Sequence, residues 1–146
     1  KVNAIVLLAP ADSPRWASVD MQVKRAQEMI QEGRGDEFMD RLAYGEIMPK
    51  TPKSLLNFLG TNTEILKALP FHSGKLEAYG KIKVPIFVAI GDGEEYTAIS
   101  IKDALTLMEK ENPNTKAYQL ENCNHDFGDN EAKLTDLIIN FIKNII

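Results

Sequence analysis

His125 is the side chain in this sequence best suited to move a proton near neutral pH. Imidazole has an unperturbed pKa of about 6.5, so it can accept and return a proton there. His125 lies in Thr115-Lys-Ala-Tyr-Gln-Leu-Glu-Asn-Cys-Asn-His-Asp-Phe-Gly128, which reads as a short strand, a polar turn, and a histidine followed two residues later by an aromatic. A histidine just past a strand, with a helix beginning a few residues on, is well placed for acid–base work. A surface histidine in a turn would have the same local sequence. The carboxylates that could orient it fall in two other loops, Asp12 in the first and Asp92, Glu94 and Glu95 in the second. A carboxylate beside an imidazole fixes its tautomer and stabilises the imidazolium formed during proton transfer. Singly, each of these acids reads as a solvated loop residue or a helix cap. Cys123 is no nucleophile on this reading, because the short loop keeps its side chain from facing His125.

The elements that must position these groups follow from the apolar pattern. Ala4 to Ala9 and Val84 to Ile90 are continuous apolar runs of strand length, expected to be buried on both faces of a parallel sheet. Lys116 to Leu120 is a third strand. Ile101, Ala104, Leu105 and Met108 form a helical stripe closed by Asn112-Pro113. Leu134, Leu137, Ile138, Phe141, Ile142 and Ile145 give the last helix one apolar face. Asp126 and Asp129 are expected to cap that helix. Between the first two strands the pattern turns helical in short pieces: one from Ser18 through Val19, Val23, Ala26 and Ile30, others at 37–44, 53–59 and 62–69. The expected fold is α/β, three layers with a parallel sheet between helices, in one domain over 1–146 with a helical insert at 13–80. In such sheets the loops after the strands open on one edge, where Asp12, the 92–95 acids and His125 can converge.

Composition bounds the function. The chain has 146 residues and a net charge of −4, which excludes a basic nucleic-acid face. No apolar run approaches the roughly 20 residues of a membrane helix. Its single cysteine forms no internal disulfide, which favours a reducing compartment and a cytoplasmic location. The opening Lys1-Val-Asn-Ala enters a core strand without preamble, so a missing N-terminal part is expected.

The run Val84-Pro-Ile-Phe-Val-Ala-Ile-Gly-Asp-Gly-Glu-Glu-Tyr-Thr97 resembles the penultimate core strand and acid loop of the α/β-hydrolases. Cys123-Asn-His-Asp-Phe127 resembles their histidine loop, Leu134 to Ile145 their closing helix, and residues 18–80 their cap. The resemblance implies the C-terminal half of that fold. It implies an esterase- or peptidase-like serine hydrolase with His125 as base, no metal and no cofactor. It names a small-molecule ester or acyl compound as substrate and the N-terminal half of the same fold as partner. Two departures matter. The nucleophile elbow G-x-S-x-G is absent: Ser13, Ser18, Ser54, Ser73 and Ser100 all lack its setting. The residue three after Gly91 is Glu94 where aspartate is usual. Glu94 therefore ranks first as the acid, Asp12 second and Asp92 third. Trp16 and Phe127 are the candidate substrate contacts, with packing roles as the plainer reading of each. His72 reads as a surface or packing residue. A non-catalytic module binding an acyl ligand or a protein is the alternative function. Alone, the chain is expected to aggregate or to form a homo-oligomer through the edge of its first strand.

Overall fold

Six consecutive buried residues make the central strand. Ile86–Gly91 has Pro85 before it and the Gly91-Asp92-Gly93 turn after it, and both of its faces are covered. In the computed structural model, which describes residues 2–10, 12, 17–39, 50–59, 64–93, 97 and 99–145, this strand (β2) lies between β1 (Ile5–Leu8) and β3 (Thr115–Leu120). Both pairings are parallel. Ile5 stands opposite Ile86, and the β2–β3 register runs from Ile86 opposite Thr115 to Gly91 opposite Leu120. The period of two sends Ile86, Val88 and Ile90 to one face and Phe87 and Ala89 to the other.

Helix α4 (Ile101–Glu111) covers the first face, packing Ala104, Leu105 and Met108 with Phe71, Leu76 and Tyr79. Ser100 caps it: its hydroxyl accepts from the amide of Asp103 at 3.1 Å. Helix α5 (Glu131–Lys143) covers the second, where Leu134 and Phe141 join Phe87, Ala89 and Leu120. The Phe87 ring stacks on Tyr118 at 5.2 Å and meets Phe141 at 5.6 Å. The result is the three-layer α/β arrangement expected of the sequence. No helix among the described residues is long and apolar enough to cross a membrane.

Two expectations change. β1 is not covered on both faces: Ile5 and Leu7 pack with the α4 side, whereas Val6 is 40% and Leu8 46% exposed. Among the described strands β1 is an edge. Of the residues expected on the last helix's apolar face, Ile142 is exposed, and Ile145 lies past the end of α5 and is exposed too.

The chain divides into two compact units, Lys1–Asp12 with Ala68–Ile146, and Ser13–Lys67. The second is helical. In it α1 (Ala17–Gln31) and α2 (Pro52–Leu59) bury Ala26, Met29, Met39, Leu55 and Leu59 together. Gly33, at φ 79°, turns the chain out of α1. Met29 takes the inward position and Ile30 is exposed. Thr51 caps α2 through Oγ1, which accepts from the amide of Ser54, and Pro52 fills its first position. Residues 37–39 are not helical, and the remainder of the expected 37–44 helix lies outside the described residues. A short α3 (Glu64–Ala68) follows.

The return to the sheet hangs on Asn112, which is buried. Its side-chain amide donates to the carbonyls of Tyr79 at 2.8 Å and Ile82 at 3.0 Å, and its carbonyl oxygen accepts from Asn114 N at 3.0 Å. One side chain thus joins the 3-10 turn at Tyr79–Lys81, the end of α4 and the start of β3. Asn112→Leu keeps the branched shape but leaves the carbonyl of buried Tyr79 without its donor and removes the bonds to Ile82 O and Asn114 N. The expected loss is roughly 1–3 kcal/mol, a sizeable share of a domain's usual ~5–15 kcal/mol. Urea denaturation should show it as a lower midpoint at unchanged slope.

Candidate functional site

At the edge where the strands end, the loops after β2 and β3 meet. β2 ends at Gly91 because nothing larger fits: a Cβ there would lie 2.2 Å from the carbonyl oxygen of Cys123 and 2.7 Å from that of Asn124. This close approach lets the loop after β3 lie directly against the loop after β2. Asp92 N donates to Leu120 O at 2.8 Å and Gly93 N to Cys123 O at 2.9 Å. The Asp92 carboxylate closes the contact in the other direction. Its two oxygens accept from Asn122 N and Cys123 N, each at 2.9 Å. These bonds, Cys123 first and Asn122 second, hold the Asp92 carboxyl below the usual aspartate value.

Asp92 therefore clamps the histidine loop, a role its sequence did not announce, although the Gly-Asp-Gly turn marks the place. The loop itself is tightly shaped. Asn122, Phe127 and Asp129 have φ values of 53°, 58° and 62°, in the left-handed region that costs a bulky residue such as Phe127 most. Phe127 is buried in the cluster with Leu120, Leu134 and Phe141, and that burial offsets the strain. Asn124 Oδ1 accepts from Asp126 N at 3.1 Å, closing a turn with His125 exposed at its tip. Asn130 Nδ2 donates to Asn122 O at 3.2 Å and to Gly128 O. Asn130, not Asp126 or Asp129, is the N-cap position of α5, and its side chain braces the loop instead of capping the helix. Cys123 is buried, and burial, then the Asp92 charge, push its thiol up, away from the reactive thiolate. A crevice of about 560 Å³ lies between the two loops, lined by Asp92, Gly93, Asn122, Cys123, Asn124 and others.

Asp12, past the end of β1, has a buried carboxylate. Its Oδ2 accepts from His72 N at 3.3 Å and lies 3.2 Å from His72 Nδ1. Sequence reading missed this pair because its members are 60 positions apart and nothing local to either marks the other. Glu94, Glu95 and Trp16 lie outside the described residues. Among the described residues no three His, Cys, Asp or Glu side chains gather as a metal would require.

No protein-family profile matches the sequence, and no curated protein matches it. Solved structures do. One from Mycobacterium tuberculosis, described as a non-heme bromoperoxidase, superposes with a TM-score of 0.58 at 16% identity, over 99% of this chain and 59% of its own. An esterase from Exiguobacterium antarcticum gives 0.56 at 14% identity, over 97% and 57%. A thermophilic esterase gives 0.51 at 16% identity, over 98% and 57%. The chain thus spans under three fifths of the length of each, and at these identities the likeness is one of fold.

The clamp makes a pH prediction. Because the folded Asp92 value lies below the unfolded one, its stabilisation is full above about pH 4 and is lost as pH falls through the folded value. Amide exchange at Asn122 and Cys123 should accelerate on acidification from about pH 5 to about pH 2, beyond the intrinsic trend. Asp92→Asn should accelerate it roughly tenfold at the higher pH and remove most of the pH response.

Proposed function

Because the chain carries the α/β-hydrolase fold over the part it spans, we propose that it is the histidine-bearing part of a serine hydrolase that cleaves a carboxylic ester or related acyl bond. The observation that carries this reading is the order of the working edge. A loop with an acid follows the central strand, a loop with an exposed histidine follows the next, and Asp92 fastens the two together. In the proposed reaction His125 takes the proton of a serine hydroxyl as it attacks the acyl carbon. It then returns that proton to the departing alcohol. The serine and the oxyanion-stabilising amides come from the N-terminal half of the same fold.

Glu94 is the proposed acid. The other two candidates support it indirectly, because each already accepts hydrogen bonds elsewhere, Asp12 from His72 and Asp92 from the histidine-loop amides. Trp16 and Phe127 remain candidate contacts of the acyl chain, Phe127 through the floor of the histidine loop. No cofactor enters the proposed reaction. The β1 edge, with Val6 and Leu8 exposed, is the surface on which the N-terminal half would pair.

Three outcomes test this. In the full-length protein His125→Ala should lower kcat on an activated ester by several orders of magnitude while leaving the circular-dichroism spectrum unchanged. Undiminished turnover would overturn His125 as the base, and absence of turnover by the unaltered full-length protein would favour the non-catalytic binding module. Glu94→Gln should lower kcat far more than Asp12→Asn, and the reverse order would transfer the acid role to Asp12. Residues 1–146 expressed alone should self-associate in sedimentation velocity, and Val6→Lys with Leu8→Lys should reduce that association.

A further inference from the structure

The helical unit Ser13–Lys67 begins at the residue after Asp12 and ends five residues before His72. We propose that Asp12 and His72 form a latch that binds the outgoing and returning stems of that unit to each other. The two hydrogen bonds converge on one oxygen: Oδ2 accepts from the His72 backbone amide and faces the His72 ring nitrogen Nδ1. An oxygen already accepting from an amide is an acceptor for the ring as well, so Nδ1 carries the proton and Nε2 is left as the acceptor. The returning stem is shaped to present both groups. Phe71 is buried in the core beneath it, and Ser73 Oγ lies within the turn 2.8 Å from Pro70 O and 2.9 Å from Lys75 O, its one proton available to either. Gly74, at φ 68°, reverses the chain and bonds to Phe71 O. On the outgoing side Ala9, at φ 45°, turns the chain off β1 directly after its last ladder bond, to Ala89 O.

The burial of Asp12 gives the latch its grip. A buried carboxylate without its donors carries the full desolvation cost, so Asp12 and His72 are stable together and costly apart. The pair closes a loop of 60 positions, which no hydrogen bond within either stem could do. Opening it removes the bond between residue 12 and the 69–73 turn while the β1–β2–β3 ladder, which uses neither residue, stays intact. The inference concerns the stems and stands independently of His125 as a base.

Two measurements on the full-length protein test it. The first needs no variant: nitrogen-15 NMR of neutral His72 should show the Nδ1–H tautomer, and the Nε2–H tautomer would overturn the latch. The second is hydrogen exchange resolved by segment. Asp12→Ala should accelerate exchange in 69–74 about tenfold or more, with 86–91 and 115–120 unchanged. His72→Phe, which keeps the ring volume and the backbone bond, should give a smaller acceleration in the same segment and serves if Asp12→Ala does not fold. Unchanged exchange in 69–74 would overturn the proposal. So would an equal rise in stem and sheet, since Asp12 would then support the whole unit and not the stems.

Discussion

The approach of the Cys123 carbonyl to Gly91 is the contact on which the working edge depends. A hydrogen in place of a methyl lets two loops from neighbouring strands meet backbone to backbone. Amides of the first loop then donate to carbonyls of the second, and the Asp92 carboxylate answers amides of the second. The contact is reciprocal, so neither loop can move without breaking bonds in both. The exposed His125 rides on this junction.

The strain in the histidine loop fits the same logic. Three residues other than glycine hold left-handed backbone within eight positions, one of them a phenylalanine. Such geometry persists only where the surroundings over-determine it. Here the surroundings are the Phe127 side chain in the α5 core, the Asn124 turn and the Asn130 brace. The N-terminus of α5 thereby gives up a capping side chain to hold the loop. That trade makes sense where loop shape matters more than the stability of one helix end.

Buried polar groups link the rest of the sheet unit. Asn112 joins a 3-10 turn, a helix end and a strand start, and Asp12 joins the two stems of the insert. Asn112 reaches Tyr79 and Ile82, and Asp12 reaches His72, all at least 30 positions away, so each contributes to specifying which segments meet. The helical unit, by contrast, is organised by apolar packing of α1 on α2, with polar ends supplied by local caps.

The sequence by itself determined the elements and their order. Continuous apolar runs made β1 and β2, the 3.6-residue stripe made α4, and strands alternating with helices required a parallel sheet. The position of His125 and of the acids on one edge follows from that order, since a parallel sheet ends all its strands on the same side. Tertiary structure alone decided how each polar side chain is used. Asp92 became a clamp, Asn130 a brace, Asn112 a junction and Asp12 the partner of His72, all through partners between 2 and 60 positions away. The uncovered outer face of β1 was also a tertiary matter. Apolar content says that a strand can be buried on both faces, but only the neighbours of that strand say whether it is. The physical reason is the same in each case. Periodicity is a local property of the chain, whereas a hydrogen bond or a covering layer depends on which distant segment the fold brings alongside.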